Sequence, residues 1–235
     1  MTDSVPAEKK KSDLGPRLAT AVVAIPILLY LIFAAPSWGF SLLVLWAAST
    51  SAWEYANITY GRQHKQGVWV TAALAAGVYA AMYWLSDLFL PAVAIAAIAV
   101  FLFFLFRYAE QEQSSHQIGS SITAIVYGAV MFGTIGLLHR DAGDAGPLWI
   151  LLLLCLVWLS DTGAYFTGRA FGKRRLYPAV SPNKSVEGAI GGFLVSIASV
   201  IGLNYGYESL VSSSTFFSET LHLDWAPMTL GQVFL

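Results

Sequence analysis

A stretch between two apolar segments carries most of the residues in this chain that could do chemistry. From Ser160 it reads SDTGAYFTGRAFGKRRLYPAVSPNKSVEGAIGG, with Asp161 at its start and Glu187 near its end. Five cations lie between these two acids: Arg169, Lys173, Arg174, Arg175 and Lys184. Long loops in compact proteins tend to be functional or disordered, and the aromatic residues here argue against disorder. We interpret residues 167–186 as an active-site loop.

The second half of this loop indicates a site for anions. In Ser181-Pro182-Asn183-Lys184-Ser185, the proline suits the first turn of a helix, and either serine could cap the free amides. Unpaired amides and the helix dipole attract anions at a helix amino terminus, where Lys184 adds a full positive charge. The pattern therefore predicts a phosphate site at the start of a helix near Pro182.

The two acids that flank the loop each allow more than one interpretation. A carboxylate near the end of a membrane helix is costly unless it faces protein, water, a cation or a metal. Asp161 is therefore a magnesium ligand, a partner for the loop cations, or an acid solvated at the interface. Glu187 falls in the first turn of the next helix, where it favours the dipole or coordinates a metal that bridges two phosphates. The cations, singly, could be an ordinary membrane anchor, but together they suit a phosphate-rich substrate.

The composition places these residues in a membrane protein. Hydrophobic residues make up 57% of the chain and charged residues 11%, against roughly 45–50% and about 25% in soluble domains. The single cysteine, Cys155, excludes a disulfide framework and a cysteine metal site. Nothing in the sequence points to nucleic acid as a partner.

Seven apolar segments predict helices that cross a bilayer, because each is close to the length of ~20 residues that a span needs. Backbone amides in hydrocarbon must be satisfied within the segment, which excludes open strands. We expect an all-α polytopic membrane protein with about seven complete helices and the start of an eighth near Pro227. Residues 1–17 form the amino-terminal tail and residues 18–235 the helical domain. The predicted segments are 18–35, 38–53, 68–85, 88–106, 118–138, 147–166 and 187–204.

The distribution of lysine and arginine predicts the orientation. With a cytoplasmic amino terminus, every cation except Arg140 lies on the cytoplasmic side, as the positive-inside rule requires. The active-site loop is then cytoplasmic, and we expect a multi-pass protein of the inner (plasma) membrane.

Two blocks of the loop resemble the conserved cytoplasmic segment of phosphatidate cytidylyltransferases, also called CDP-diacylglycerol synthases. The order of the blocks and their separation both agree with that family. The first block consists of Ser160, Asp161, Thr162, Gly163, Ala164, Tyr165, Gly168 and Arg169. The second block consists of Ser181, Pro182, Lys184, Glu187, Gly188, Gly191 and Gly192.

The resemblance implies that phosphatidic acid attacks the α-phosphorus of CTP, giving CDP-diacylglycerol and pyrophosphate. It implies CTP, phosphatidic acid and the bilayer as partners and Mg²⁺ as the cofactor, with catalysis by positioning and charge neutralisation. The catalytic candidates are Lys184, Asp161 and Glu187, and the two acids are also the metal ligands. Substrate phosphates are assigned to Arg169, Lys173, Ser181, Asn183 and Ser185.

One departure from the family concerns the carboxyl terminus. The family has a second signature there, rich in Lys, Asp, His-Gly-Gly and Asp-Arg, which supplies metal-binding acids. The sequence reaches Leu235 before that signature, so we expect a truncated and catalytically incomplete chain. The alternative function is a non-catalytic membrane relative or assembly partner.

Two glycine pairs, Gly188/Gly192 and Gly202/Gly206, would allow a homodimer. For the first pair, helix packing is the preferred interpretation.

Overall fold

The structure is a computed structural model that describes residues 14–60, 65–108 and 114–213, without the side chains of 14–19 and 204–213. Its helices α5 and α6 are joined by a π-helical segment, Val126–Met131, so the described helices form seven rods that follow the order of the predicted segments. A two-stranded antiparallel hairpin, β1 (Arg175–Tyr177) and β2 (Ser181–Ser185), connects α7 to α8. The helices are α1 (Leu14–Phe33), α2 (Ser37–Tyr60), α3 (Lys65–Trp84), α4 (Phe89–Tyr108), α5 (Ser114–Ile125), α6 (Phe132–Asp141), α7 (Gly146–Phe171) and α8 (Val186–Ser213).

The helical membrane-protein class is confirmed by the length and apolar character of these rods. Five described helical stretches are long and apolar enough to cross a membrane: Lys65–Trp84, Ser86–Arg107, Ser114–Asp141, Gly143–Phe171 and Val186–Leu203. The number of spans and the orientation stay predictions. The predicted tail up to residue 13 and the segment from Pro227 lie outside the described residues.

Helix α2 is the centre of a bundle with α3, α5 and α6. Ala48, Ala52 and Ala56 on α2 are fully buried, and such small side chains let helices approach closely in a membrane. The π-helical segment brings Gly128 against this surface, where a Cβ atom would lie 2.8 Å from the carbonyl oxygen of Ala48. Close packing of small residues therefore fixes the position of α2 in the bundle.

A buried hydroxyl cluster links three helices of this bundle. The hydroxyl of Tyr60 on α2 lies 3.1 Å from Thr71 Oγ1 on α3 and also bonds to Ser121 Oγ on α5. Ser121 donates in turn to the carbonyl oxygen of Gln117, 2.9 Å away. Since buried polar groups are costly unless they are paired, these bonds select one arrangement of the three helices.

The other end of the bundle is tied together by His139 and Arg140 at the end of α6. The carbonyl oxygen of Ile32 accepts a hydrogen bond from His139 Nε2 at 2.9 Å. Arg140 donates to the carbonyl oxygen of Tyr83 in the last turn of α3 and forms an ion pair with Asp141. The one cation predicted for the outer side therefore caps a helix end.

Helices α7 and α8 form an antiparallel pair that packs along glycine residues. A Cβ atom at Gly188 would lie 2.9 Å from the carbonyl oxygen of Ala164, and one at Gly192 would lie 2.9 Å from that of Ser160. The interpretation of Gly188 and Gly192 as helix-packing residues is confirmed, and the contact that they make is between α7 and α8 of one chain. The hairpin connects the ends of these two packed helices.

Candidate functional site

The connection between α7 and α8 is shorter than the predicted loop and is not helical where a helix was expected. It covers residues 172–185, because α7 continues to Phe171 and α8 begins at Val186. The prediction that a helix begins near Pro182 is wrong, since β2 pairs with β1 through Arg175 and Ser185. Pairing with residues four to ten positions upstream extends this backbone, and the exposed edge of a small hairpin tolerates a proline. Among the described elements, these two short strands are the exception in a chain that is otherwise helical, as expected.

Ser185 caps α8, as one of the two serines was expected to do. Its hydroxyl oxygen accepts a hydrogen bond from the amide of Gly188 at 3.2 Å, and the residue is 8% exposed. A Cβ atom at Gly168 would lie 3.1 Å from this oxygen. The Ser185 side chain thus lies between the two helices and stabilises the start of α8.

Glu187, in the first turn of α8, binds the backbone where the chain leaves α7. One carboxylate oxygen accepts a hydrogen bond from the amide of Lys173 at 3.1 Å, and both oxygens lie within 3.3 Å of the amide of Arg174. The amide of Val186 also donates to the carbonyl oxygen of Arg174 at 2.9 Å. Glu187 and its neighbour therefore close the base of the hairpin.

The five candidate cations, Arg169 in the last turn of α7 and four in the connection, face solvent. All five candidates are exposed, and Arg169 Nη1 donates to the Tyr165 hydroxyl at 3.1 Å. Lys184 precedes the buried Ser185 in β2, so its side chain projects from the opposite face of the strand. The structure shows an ion pair of Arg140 with Asp141, and none of the five candidate cations lies at ion-pair distance from a described carboxylate. The positive charge of the hairpin is therefore uncompensated by any described carboxylate at ion-pair distance.

Asp161 lies within α7 rather than near its end. The helix extends ten residues beyond it, to Phe171, and the prediction of a helix-end position is wrong because nothing in Thr162–Phe171 interrupts the helix. Asp161 is exposed, on the face that carries Tyr165 and Arg169 four and eight residues later. The three side chains form a polar stripe that leads along α7 towards the hairpin.

The two acids are not brought together by the α7–α8 pair. Gly163 of α7 contacts Val195 of α8, so Asp161 lies beside the part of α8 near Val195. Glu187 lies beside the part of α7 near Gly168. This offset of about seven residues corresponds to roughly 10 Å along the helix axis. Within the part of the chain that the structure describes, no group of three or more His, Cys, Asp or Glu side chains could hold a metal.

A separate cavity of about 330 Å³ lies at the far end of α7 from the hairpin. It is lined by the end of α1, the start of α2 and the turn before α7, including His139, Arg140 and Asp144. None of the predicted phosphate-binding residues lines it. The residues predicted to bind phosphate therefore lie at the other end of α7, away from this cavity.

Sequence comparison assigns the chain to a family. A sequence model described as "Cytidylyltransferase family" matches residues 16–226, most of the chain. The chain belongs to the cytidylyltransferase family. The resemblance seen in the two blocks around Asp161 and Lys184 is thereby confirmed.

Three proteins to which this chain is similar are each named phosphatidate cytidylyltransferase. The Pseudomonas aeruginosa protein is 33% identical over 181 residues, which are 76% of this chain and 66% of the relative. The Haemophilus influenzae protein is 48% identical over 67 residues, 28% of this chain and 23% of the relative. The Staphylococcus epidermidis protein is 44% identical over 70 residues, 29% of this chain and 27% of the relative. The matched region thus covers less than two thirds of each relative's length.

Proposed function

We propose that this chain transfers a cytidylyl group from CTP to phosphatidic acid. A phosphate oxygen of phosphatidic acid forms a bond to the α-phosphorus of CTP, the bond from that phosphorus to the bridging oxygen breaks, and pyrophosphate leaves with CDP-diacylglycerol as the lipid product. Family membership and the names of the relatives support this reaction. The observation that carries it is the exposed hairpin, whose cations have no described carboxylate partner at ion-pair distance.

Substrate phosphates are assigned to the exposed side chains of the connection. Lys184 and Asn183 lie on exposed positions of β2, where an ammonium group and an amide can contact CTP phosphates. Arg169 and Lys173, at the junction of α7 with the hairpin, suit the lipid phosphate or the leaving pyrophosphate. Ser181 is partly exposed at the start of β2 and can donate a hydroxyl, whereas Ser185 is occupied as the helix cap.

The metal is assigned to Asp161. Mg²⁺ takes oxygen ligands, keeps several waters and usually uses one or two carboxylates together with substrate phosphates. Asp161 fits this requirement because its carboxylate is exposed on a long apolar helix, where an acid needs a compensating charge. A bound Mg²⁺ would neutralise phosphate charge. Its second predicted ligand, Glu187, lies roughly 10 Å further along the pair and is already bound to two amides.

The placement in the membrane follows from the same cations. The hairpin lies at one end of α7 and Arg140 beyond the other, so the positive-inside rule favours a cytoplasmic hairpin and amino terminus in a plasma membrane protein with about seven spans. A homodimer stays a prediction. Because Gly188 and Gly192 are used within the chain, such an interface would form elsewhere on the α7–α8 pair.

The test follows two phosphates of CTP separately. The purified protein in phosphatidic acid vesicles with Mg²⁺ is given CTP labelled at the α-phosphorus or, in parallel, at the γ-phosphorus. We expect the α-label in the lipid and the γ-label in pyrophosphate, in equal amounts. A γ-label in the lipid would indicate a lipid kinase instead. Retention of both labels in CTP would contradict the proposed activity and favour a non-catalytic relative.

A further inference from the structure

We propose that Glu187 is a positioning residue that fixes the hairpin cations for the CTP phosphates, rather than a ligand of the metal. The proposal rests on the proposed function for the identity of the anion. Its geometric part, the attachment of the hairpin to α8 by a carboxylate, stands on the described contacts alone.

The carboxylate of Glu187 bridges two consecutive amides that begin the hairpin. The amides of Lys173 and Arg174 donate to it at 3.1 to 3.3 Å. Hydrogen bonds from amides to an ionised carboxylate are stronger than those between neutral groups. Consecutive amides that point to one acceptor also hold the backbone between them in a single conformation. The chain therefore leaves α7 in a direction set by a residue of α8.

The first turn of α8, which carries Glu187, is held in place by several contacts. The first turn of α8 is capped by Ser185 and pressed against α7 at Gly188, where a Cβ atom would be 3.1 Å from the Cα of Gly168. Val186 adds a backbone bond to the carbonyl oxygen of Arg174 at 2.9 Å. Glu187 thus transmits the fixed position of the helix pair to the residues that follow Gly172.

The residues fixed in this way carry the charge. Lys173 and Arg174 are the two residues whose amides are bound, and Arg175 follows as the first residue of β1. All three side chains are exposed. Preorganised charges stabilise a phosphate transition state without the cost of reorganisation during the reaction. A carboxylate that binds the backbone amides of the first two residues can orient these cations without neutralising them by side-chain ion pairs.

The first experiment measures the attachment without any substrate. Backbone amide hydrogen exchange is compared in the wild type, Glu187→Gln and Glu187→Ala. Glu54→Gln is the matched control, because Glu54 is exposed on α2 and distant in sequence from the hairpin. We expect exchange at Lys173 and Arg174 to rise several-fold in Glu187→Gln and more in Glu187→Ala, with the amides of α2 and α3 unchanged. Equal exchange at both amides in all four proteins would overturn the attachment.

The second experiment separates positioning from metal binding. Binding of CTP to the same variants is measured with excess EDTA and again with Mg²⁺. A positioning role predicts that Glu187→Gln weakens binding by a similar factor, about tenfold, under both conditions, and that Asp161→Asn weakens it with Mg²⁺ alone. A Glu187→Gln defect confined to Mg²⁺ would show a metal ligand and refute the proposal.

The two proposals fail in different ways. A wild-type protein that binds no CTP under either condition contradicts the proposed function, while the exchange of the two amides still decides whether Glu187 holds the hairpin. A wild-type protein that binds CTP, with Glu187→Gln binding equally well, leaves the function intact and overturns the positioning role.

Discussion

Two adjacent residues of β2 have different roles, because one side chain is buried and the other is exposed. Ser185 is 8% exposed and caps α8, whereas Lys184 is exposed on the other face. Side chains alternate between the faces of a strand, so the buried serine determines the direction of the lysine. Lys184 therefore faces the solvent, and the buried Ser185 fixes the backbone next to it.

Replacement of Lys184 tests whether this charge serves the reaction. We expect Lys184→Ala to lower cytidylyl transfer about 100-fold or more, the usual effect of removing one preorganised group at a developing charge, with an unchanged melting temperature. Lys65→Ala is the matched control, because Lys65 is also an exposed lysine on the predicted cytoplasmic side, at the start of α3. Near-normal turnover in Lys184→Ala would contradict the assignment.

The buried hydroxyl cluster makes a separate prediction about stability. Tyr60→Phe removes the hydroxyl that joins Thr71 to Ser121 and should lower the free energy of unfolding by about 1–3 kcal/mol, the cost of leaving buried polar partners unpaired. Tyr127→Phe is the control, because that side chain is 52% exposed. The measurement is thermal unfolding in detergent. Equal melting temperatures for the two variants would show that the cluster contributes nothing to stability.

At the level of elements, the helices were predictable and the hairpin was not. Apolar runs of the length of a bilayer predict helices because hydrocarbon leaves the backbone no other partner, and the seven predicted segments correspond in order to the seven helical rods. The end of α7 was predicted five residues too early, since a polar sequence such as Thr167–Phe171 continues the helix until Gly172. The strand at Ser181–Ser185 depends on pairing with Arg175–Tyr177, which local preference does not reveal.

For the candidate site, the sequence likewise predicted which residues matter but not how they are arranged. The residue types identified Asp161, Lys184 and Glu187 as the groups to consider, because an acid at the edge of an apolar helix needs a partner and a lysine near a helix start favours an anion. Their relative positions required the register of α7 against α8, which separates Asp161 from Glu187. Every residue except proline has a backbone amide, so the residue types do not show which amides bind Glu187. The sequence therefore could not distinguish a metal ligand from a residue that holds the hairpin.

The contact between α7 and α8 can be tested through its glycines. Gly192→Leu should destabilise the protein by about 1–3 kcal/mol, as overpacking of a close contact does, because even a Cβ atom there would be 2.9 Å from the carbonyl oxygen of Ser160. Gly202→Leu is the control on the same helix, since no atom of the described residues lies within 4 Å of the corresponding Cβ position. Similar melting temperatures for both variants would contradict the close packing of α8 against α7 at Gly192.

The whole molecule places its two polar ends at opposite ends of α7. The hairpin follows Phe171, and the turn with Arg140, Asp141 and Asp144 precedes Gly146. The intervening stretch, Gly143–Phe171, is long and apolar enough to cross a membrane. A helix of about 26 residues spans roughly 39 Å, more than the ~30 Å hydrocarbon core of a bilayer. The two ends should therefore face different compartments.

This separation can be measured with single cysteines, because the chain has only Cys155 to remove. In a Cys155→Ser background, Ala179→Cys marks the turn of the hairpin and Asp144→Cys marks the turn before α7, both at exposed positions. A membrane-impermeant maleimide should label Ala179→Cys in inside-out vesicles and Asp144→Cys in right-side-out cells, because the positive-inside rule puts the cation-rich hairpin in the cytoplasm. The opposite pattern would invert the orientation and separate the hairpin from cytoplasmic CTP. Labelling of both cysteines from one side would show that α7 does not cross the membrane.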